Sequence, residues 1–194
     1  MGSINRKIQT FLKSFKNVFF LNNGTAKLKK DKKNYIFIGT ALWTGVREKD
    51  KKKVGRMLND YDNIYVPMSA SEKKNVKSTS SKMDQKYIRK YTVHDMTKLH
   101  KKALNYIVRE MKKIKPDEIG IVLTHHKPYR NSDIENLLTQ SYETDIIGTV
   151  IKSPHNVKLF AYGHTHVQDD RYVDKVRVVS NPKGYPSQKT RYKN

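Results

Sequence analysis

The sequence predicts an α/β fold, and three observations carry that expectation. Two short apolar runs, Ile119-Gly120-Ile121-Val122-Leu123 and Val157-Lys158-Leu159-Phe160-Ala161-Tyr162, have the length and composition of buried strands. A stripe at helical spacing, Leu99, Ala103, Ile107, Met111 and Ile114, precedes the first of them. Both runs end in histidines, at Thr124-His125-His126-Lys127-Pro128 and at Gly163-His164-Thr165-His166, and strand ends in α/β sheets are where ligand-binding and catalytic groups collect.

The other elements follow in chain order. Ile4, Ile8, Phe11, Leu12 and Phe15 share one helical face, flanked by Arg6, Lys7, Lys13 and Lys16. A basic amphipathic helix can lie on a membrane surface; this one leads directly into the strand-like Val18-Phe19-Phe20-Leu21 and is expected to dock on the sheet instead. Asn22-Asn23-Gly24 supplies a turn, with Gly24 free to take positive φ. Tyr35 to Gly39 reads as the next strand, followed by a loop from Thr40 to Thr44, and Lys49 to Lys53 as a solvated helix or loop surface. Ser69 to Lys82 is rich in Ser and Lys and too poor in large apolar residues to order itself, which places a mobile loop over 69–92. Thr97 or Asp95 caps a helix that runs to about Lys115 and stops at Pro116. Asp133 to Lys152 reads as helical with a break near Gly148, Ser153 to Asn156 as a turn, and Asp169-Asp170 as the punctuation of a hairpin into the strand Val176 to Ser180. Pro182 and Gly184 shape the final loop.

Composition narrows the classes of function. A chain of 194 residues is long enough for one domain, taken as 1–194, with a sizeable core. It contains no cysteine, so any metal site uses N and O ligands, and a reducing compartment is permitted. Its apolar runs are far short of a membrane span, and the expectation is a soluble cytoplasmic protein. Forty basic against 18 acidic residues give a net charge of +22, which attracts polyanions, nucleic acid among them. The lysines are scattered along the chain and read as a solvated coat rather than a specific nucleic-acid stripe. Gly-rich phosphate loops, nucleophile elbows and internal repeats are absent from the sequence, which removes kinases, P-loop enzymes and repeat scaffolds.

In an extended segment His164 and His166 share a face, with Cβ atoms roughly 6.5–7 Å apart and Thr165 facing away. The ions of two-metal hydrolytic sites lie about 3.5–4 Å apart, so each histidine can reach a different ion. Short His pairs are also ordinary turn residues, but here two buried strands terminate in histidines together. Imidazole suits Zn and Fe, and a shell that includes carboxylates admits Mn. Tyr129, Arg130 and Asn131 are candidate substrate contacts, and Lys183 is a candidate anion contact. His94 and His100 read as polar or helix-packing residues, and His155 as a turn residue.

Four segments together resemble a known family. Ile36-Phe37-Ile38-Gly39-Thr40-Ala41-Leu42-Trp43, Val122 to Pro128, Tyr162-Gly163-His164-Thr165-His166, and Val178-Val179-Ser180-Asn181-Pro182-Lys183-Gly184-Tyr185-Pro186 look like the C-terminal half of a calcineurin-like metallophosphoesterase, from about Asn17 to Pro186. The resemblance implies part of a sandwich of two β-sheets flanked by helices, without the first strands. It also implies hydrolysis of a phosphoester substrate by a hydroxide bridging two divalent ions, which can be Mn, Fe, Zn or Mg. His164 would ligate one ion and His166 the other, His125 would be the ligand at the preceding strand end, and His126 would stand behind them or touch phosphate. The loop carrying Trp43 borders the active site in that family, so Trp43 is either a substrate-facing wall or a packing residue.

The family's remaining ligands come from Asp-x-His, Gly-Asp and Gly-Asn-His motifs, and this chain has no Asp-x-His, no Gly-Asp and no Asn-His. Asp169, Asp170 and Asp174 lie after the motif and read as turn and hairpin residues. The alternative to an enzyme is therefore an inactive or split fragment, one that needs a complementing N-terminal segment or binds an anionic polymer such as nucleic acid.

Overall fold

In the computed structural model, residues 2–74, 87–130, 136–137, 139–148 and 156–188 are described. A six-stranded sheet organises them. Its strands are β1 (Gly24–Lys30), β2 (Lys33–Thr40), β5 (Glu118–Thr124), β6 (Val157–Ala161), β8 (Val176–Ser180) and β7 (Asp169–Val173), in that spatial order. β2, β5, β6 and β8 run parallel, while β1 and β7 close the two edges as antiparallel hairpin partners of β2 and β8. A smaller sheet pairs β3 (Tyr65–Pro67) with β4 (Ile88–Lys90).

The parallel strands read as apolar runs because both of their faces are covered. Ile36, Ile38, Val122, Phe160 and Val178 are buried with Ala103, Ile107 and Met111 of the long helix α5 (Val93–Met111). A second cluster holds Val46, Val54, Leu58, Tyr61, Tyr91, Val93 and Met96 beneath the small sheet. Short helices α2 (Lys51–Val54) and α3 (Asp60–Asn63) contribute to it, α4 (Ala70–Lys74) precedes β4, and α6 (Thr139–Tyr142) follows β5.

Several local expectations are corrected. Val18 to Leu21 forms no strand: Leu21 instead lies across Gly39 of β2, where a Cβ would fall 2.3 Å from the Leu21 Cβ. Asn23, not Gly24, takes the left-handed turn conformation (φ 52°), and Gly24 opens β1. The helix expected to dock, α1 (Gly2–Leu12), leaves Ile4, Phe11 and Phe15 exposed. The loop expected over 69–92 is structured at both ends by α4 and β4, while 75–86 lie outside the described residues. α5 begins earlier than expected, because Thr92 and Asp95 form a reciprocal capping box; Thr97 instead donates its hydroxyl to the Val93 carbonyl. Asp95 also receives a bidentate pair of hydrogen bonds from Arg89 at 2.6 and 2.9 Å, which ties β4 to the start of α5.

Of the helix expected over Asp133 to Lys152, the described residues show α6 and a further helical pair at 147–148, with a non-helical stretch at 143–146 between them. The N–H groups of Thr144, Ile146 and Ile147 donate to the carbonyls of Lys127 and Pro128, so the stretch after α6 pairs with the loop after β5 before the helical residues 147–148. A buried Lys127–Glu143 ion pair at 2.6 Å holds the same junction. Asn131 and His155 lie outside the described residues. Asp169 and Asp170 sit within β7, and the hairpin turns at Asp174 (φ 54°). The Asp169 carboxylate instead accepts hydrogen bonds from the hydroxyls of Tyr129 and Tyr162 and from Arg171.

Candidate functional site

Parallel pairing sets Thr40 beside Thr124 and Leu123 beside Ala161, which in turn sits beside Val179, so β2, β5, β6 and β8 all end on one side of the sheet. The loops that leave those ends carry Trp43, His125, His126, Tyr129, Arg130, His164, His166 and Lys183. Tyr129, just after the first histidine loop, and Tyr162, just before the second, converge on Asp169 and fix those loops to one another.

His164 and His166 are not in an extended segment. Both take left-handed backbone angles, φ 65° and 54°, and the Thr165 N–H donates to the Gly163 carbonyl at 2.8 Å in a tight turn. Such conformations cost of order 1–3 kcal/mol each in non-glycine residues and gather at functional sites. Leu42 and Trp43, on the neighbouring loop, share them at φ 65° and 52°. The turn directs the two imidazoles to different partners. His164 Nδ1 lies 3.0 Å from His125 Nε2. His166 Nδ1 lies 2.6 Å from Gln188 Oε1, and its ring stands edge-on to Tyr185.

His126 is buried behind this pair. Its Nδ1–H donates to the Ala41 carbonyl at 3.0 Å, and its ring packs against His164 and Trp43 at centroid distances of 4.4 and 5.3 Å. Burial, followed by the nearby His164, pushes its pKa down to about 3. Burial and the adjacent His125 and His166 likewise lower His164 to about 4, and desolvation together with His166 lowers His125. All three imidazoles are therefore neutral near pH 7, the form that offers a lone pair to a metal.

Around the histidines opens a cavity of about 680 Å³ lined by His125, His164 and His166 together with Asn59, Asp60, Asn63, Tyr142, Glu143 and Tyr185. Asp60 and its neighbours were missed from the sequence, since nothing local marks Leu58-Asn59-Asp60-Tyr61 as facing a histidine loop about 65 residues away. Trp43 does not line this cavity; it packs between Tyr91 and His126. Arg130 does not line it either, because its guanidinium donates to the carbonyls of Glu143 and Gly45. Lys183 is exposed on the loop after β8, one residue before Gly184, whose φ is 73°.

The histidines can be tested against a metal shell. Two nitrogens 3.0 Å apart, each about 2.0–2.1 Å from a zinc-like ion, would subtend roughly 90–100° there, an angle that one ion accepts. Past that pair the shell does not close. No group of three or more His, Asp or Glu among the described residues is placed to hold an ion. The fit is partial: two nitrogen donors of one shell, without the carboxylates of a dinuclear centre.

Comparison with known proteins adds little to this geometry. No family model matches the chain. An uncharacterized protein, L509, of Acanthamoeba polyphaga mimivirus is 23% identical over 204 residues, an overlap that covers 99% of this chain and 64% of L509. The chain thus spans less than two thirds of that relative's length. A phosphopantetheinyl hydrolase (PptH) from Mycobacterium tuberculosis superposes with a TM-score of 0.48 and 14% identity over 84% of this chain and 54% of its own. The likeness is too loose to fix a shared fold, and the α/β architecture rests on the strands and helices themselves. No helix among the described residues is long and apolar enough to cross a membrane.

Proposed function

We propose that this chain carries the imidazole half of a dinuclear metal site for phosphoester hydrolysis, with His125, His164 and His166 as its ligands. The observation that supports this most is the contact between His125 and His164 at the mouth of an open cavity, on loops from two adjacent parallel strands. Divalent ions held there by His125, His164 and His166 would supply Lewis-acid activation of water and neutralisation of phosphoryl charge.

The chain's own residues contribute position and protonation state. Burial keeps His164 neutral near pH 7, and Gln188 holds His166. His126 and Trp43 form the wall that fixes the His164 ring from behind. Tyr142 and Tyr185 face the rings of His164 and His166 and bound the space left for a substrate. Lys183 is the cation offered to the phosphate. Arg130 acts through its backbone contacts, holding the Glu143 and Gly45 segments in place.

The partial shell favours a second reading at the same site, in which turnover requires ligands from a complementing segment. One experiment separates the two. Hydrolysis of aryl phosphate mono- and diesters is measured with added Mn, beside a His164→Ala/His166→Ala variant. Turnover that disappears in the variant establishes a working site in this chain. Equal inactivity of two folded proteins leaves only the complemented form, and turnover that survives in the variant refutes the histidine assignment.

A further inference from the structure

The N-terminal helix presents an apolar face that nothing else in the described residues covers. Ile4, Phe11 and Phe19 are 62%, 67% and 62% exposed, Phe15 and Val18 are exposed beside them, and the Phe11 and Phe15 rings lie 5.5 Å apart. At 3.6 residues per turn, Phe11, Ile4, Ile8 and Leu12 of α1 span an arc of about 100°, and Phe15 lies three residues past the helix. On the same projection Lys7 borders the arc and Arg6 occupies the opposite face, while Lys13 and Lys16 follow in the turns after the helix. The first 30 residues contain no Asp or Glu to neutralise them.

A covering protein surface would leave this helix apolar on one face and mixed in charge on the other. Here the pattern is aromatic residues on one side, a bordering lysine whose long side chain reaches back toward water, and only positive charge behind and after it. It fits an interface whose interior is hydrocarbon and whose surface is anionic. The length fits as well, since 11 residues cannot cross a bilayer but can lie in its headgroup plane. The Val18-Phe19 segment that follows is exposed as well.

We infer that residues 2–19 are an in-plane anchor that binds this protein to anionic phospholipid surfaces by inserting Phe11, Phe15 and Phe19 beneath the headgroups. The basic flank brings the chain to the surface, and the aromatic face holds it there. Each lysine or arginine near such a surface strengthens binding at low salt, whereas the aromatic contribution persists when salt screens the charge.

The whole chain carries +22, so the test separates insertion from simple attraction. The full chain is sedimented with vesicles of phosphatidylcholine alone and of phosphatidylcholine with roughly one-third phosphatidylserine at about 0.15 M salt. Phe11→Ser/Phe15→Ser/Phe19→Ser keeps every charge, and the single Phe11→Ser changes only a solvent-facing ring should the triple variant misfold. The expected result is binding to the anionic vesicles that falls roughly tenfold or more in the triple variant and severalfold in the single one. Equal binding of wild type and variants would overturn the inference and assign the attraction to the basic coat, as would binding that polynucleotide abolishes and Phe11→Ser leaves unchanged. Absence of binding to either vesicle would overturn it, and so would a lipid-free dimer that Phe11→Ser dissociates, because the face would then belong to a second copy.

Discussion

His126 sits 4% exposed beneath the His125–His164 contact, and there burial decides a protonation state. Its pKa is near 3 in the folded chain against an ordinary 6.5, so between those values the unfolded chain binds a proton that the folded chain refuses. The stability it contributes is complete above about pH 6.5 and is lost progressively as pH falls toward about 3. The thermal midpoint should fall over that window, and His126→Gln should flatten the profile by an amount of the order of a few kcal/mol. A variant as acid-sensitive as the wild type would show that other groups govern the slope. At this scale the sequence was partly legible. His125, His164 and His166 could be placed because each follows an apolar run, whereas the Asp169 carboxylate reads as a turn residue until Tyr129 and Tyr162 are seen to converge on it. The left-handed turn at His164 and His166 left no mark either, since neither residue is a glycine.

The legible elements were those whose period survives burial. β2, β5, β6, β8 and α5 all declared themselves through apolar runs or a 3.6-residue stripe. β1 did not, because as an edge strand it turns Lys27, Lys29 and Lys30 to solvent and keeps few apolar positions. β3 and β4, at three residues each, are too short to show alternation. Val18 to Leu21 misled in the other direction: the run forms no strand, and it is its last residue, Leu21, that lies against the sheet, in the space above Gly39. Gly39→Ala should therefore cost about 1–3 kcal/mol in urea denaturation through a clash with Leu21. Adding Leu21→Gly, which removes the clashing Cβ, should make the two effects markedly less than additive. Full additivity would mean that the segment does not press on β2.

Across the whole molecule, one topological fact gathers the chemistry: four parallel strands end on the same side, and their loops bring together residues from Trp43 to Lys183. That gathering was inferable from strand ends alone, but the cavity wall at Asn59, Asp60 and Asn63 came only with the packing of the second core cluster. The sheet delivers a neutral imidazole pair to an open cavity, and the described residues stop short of a full metal shell. Whether that pair grips an ion is the point on which the functional reading turns. Zinc is titrated into the full chain by calorimetry, in parallel with His125→Ala, His164→Ala and the exposed His94→Ala. The expected result is binding that weakens roughly tenfold or more in each of the first two and is unchanged in the third. No binding by the full chain, or equal binding by all four proteins, would contradict a metal site built on His125 and His164.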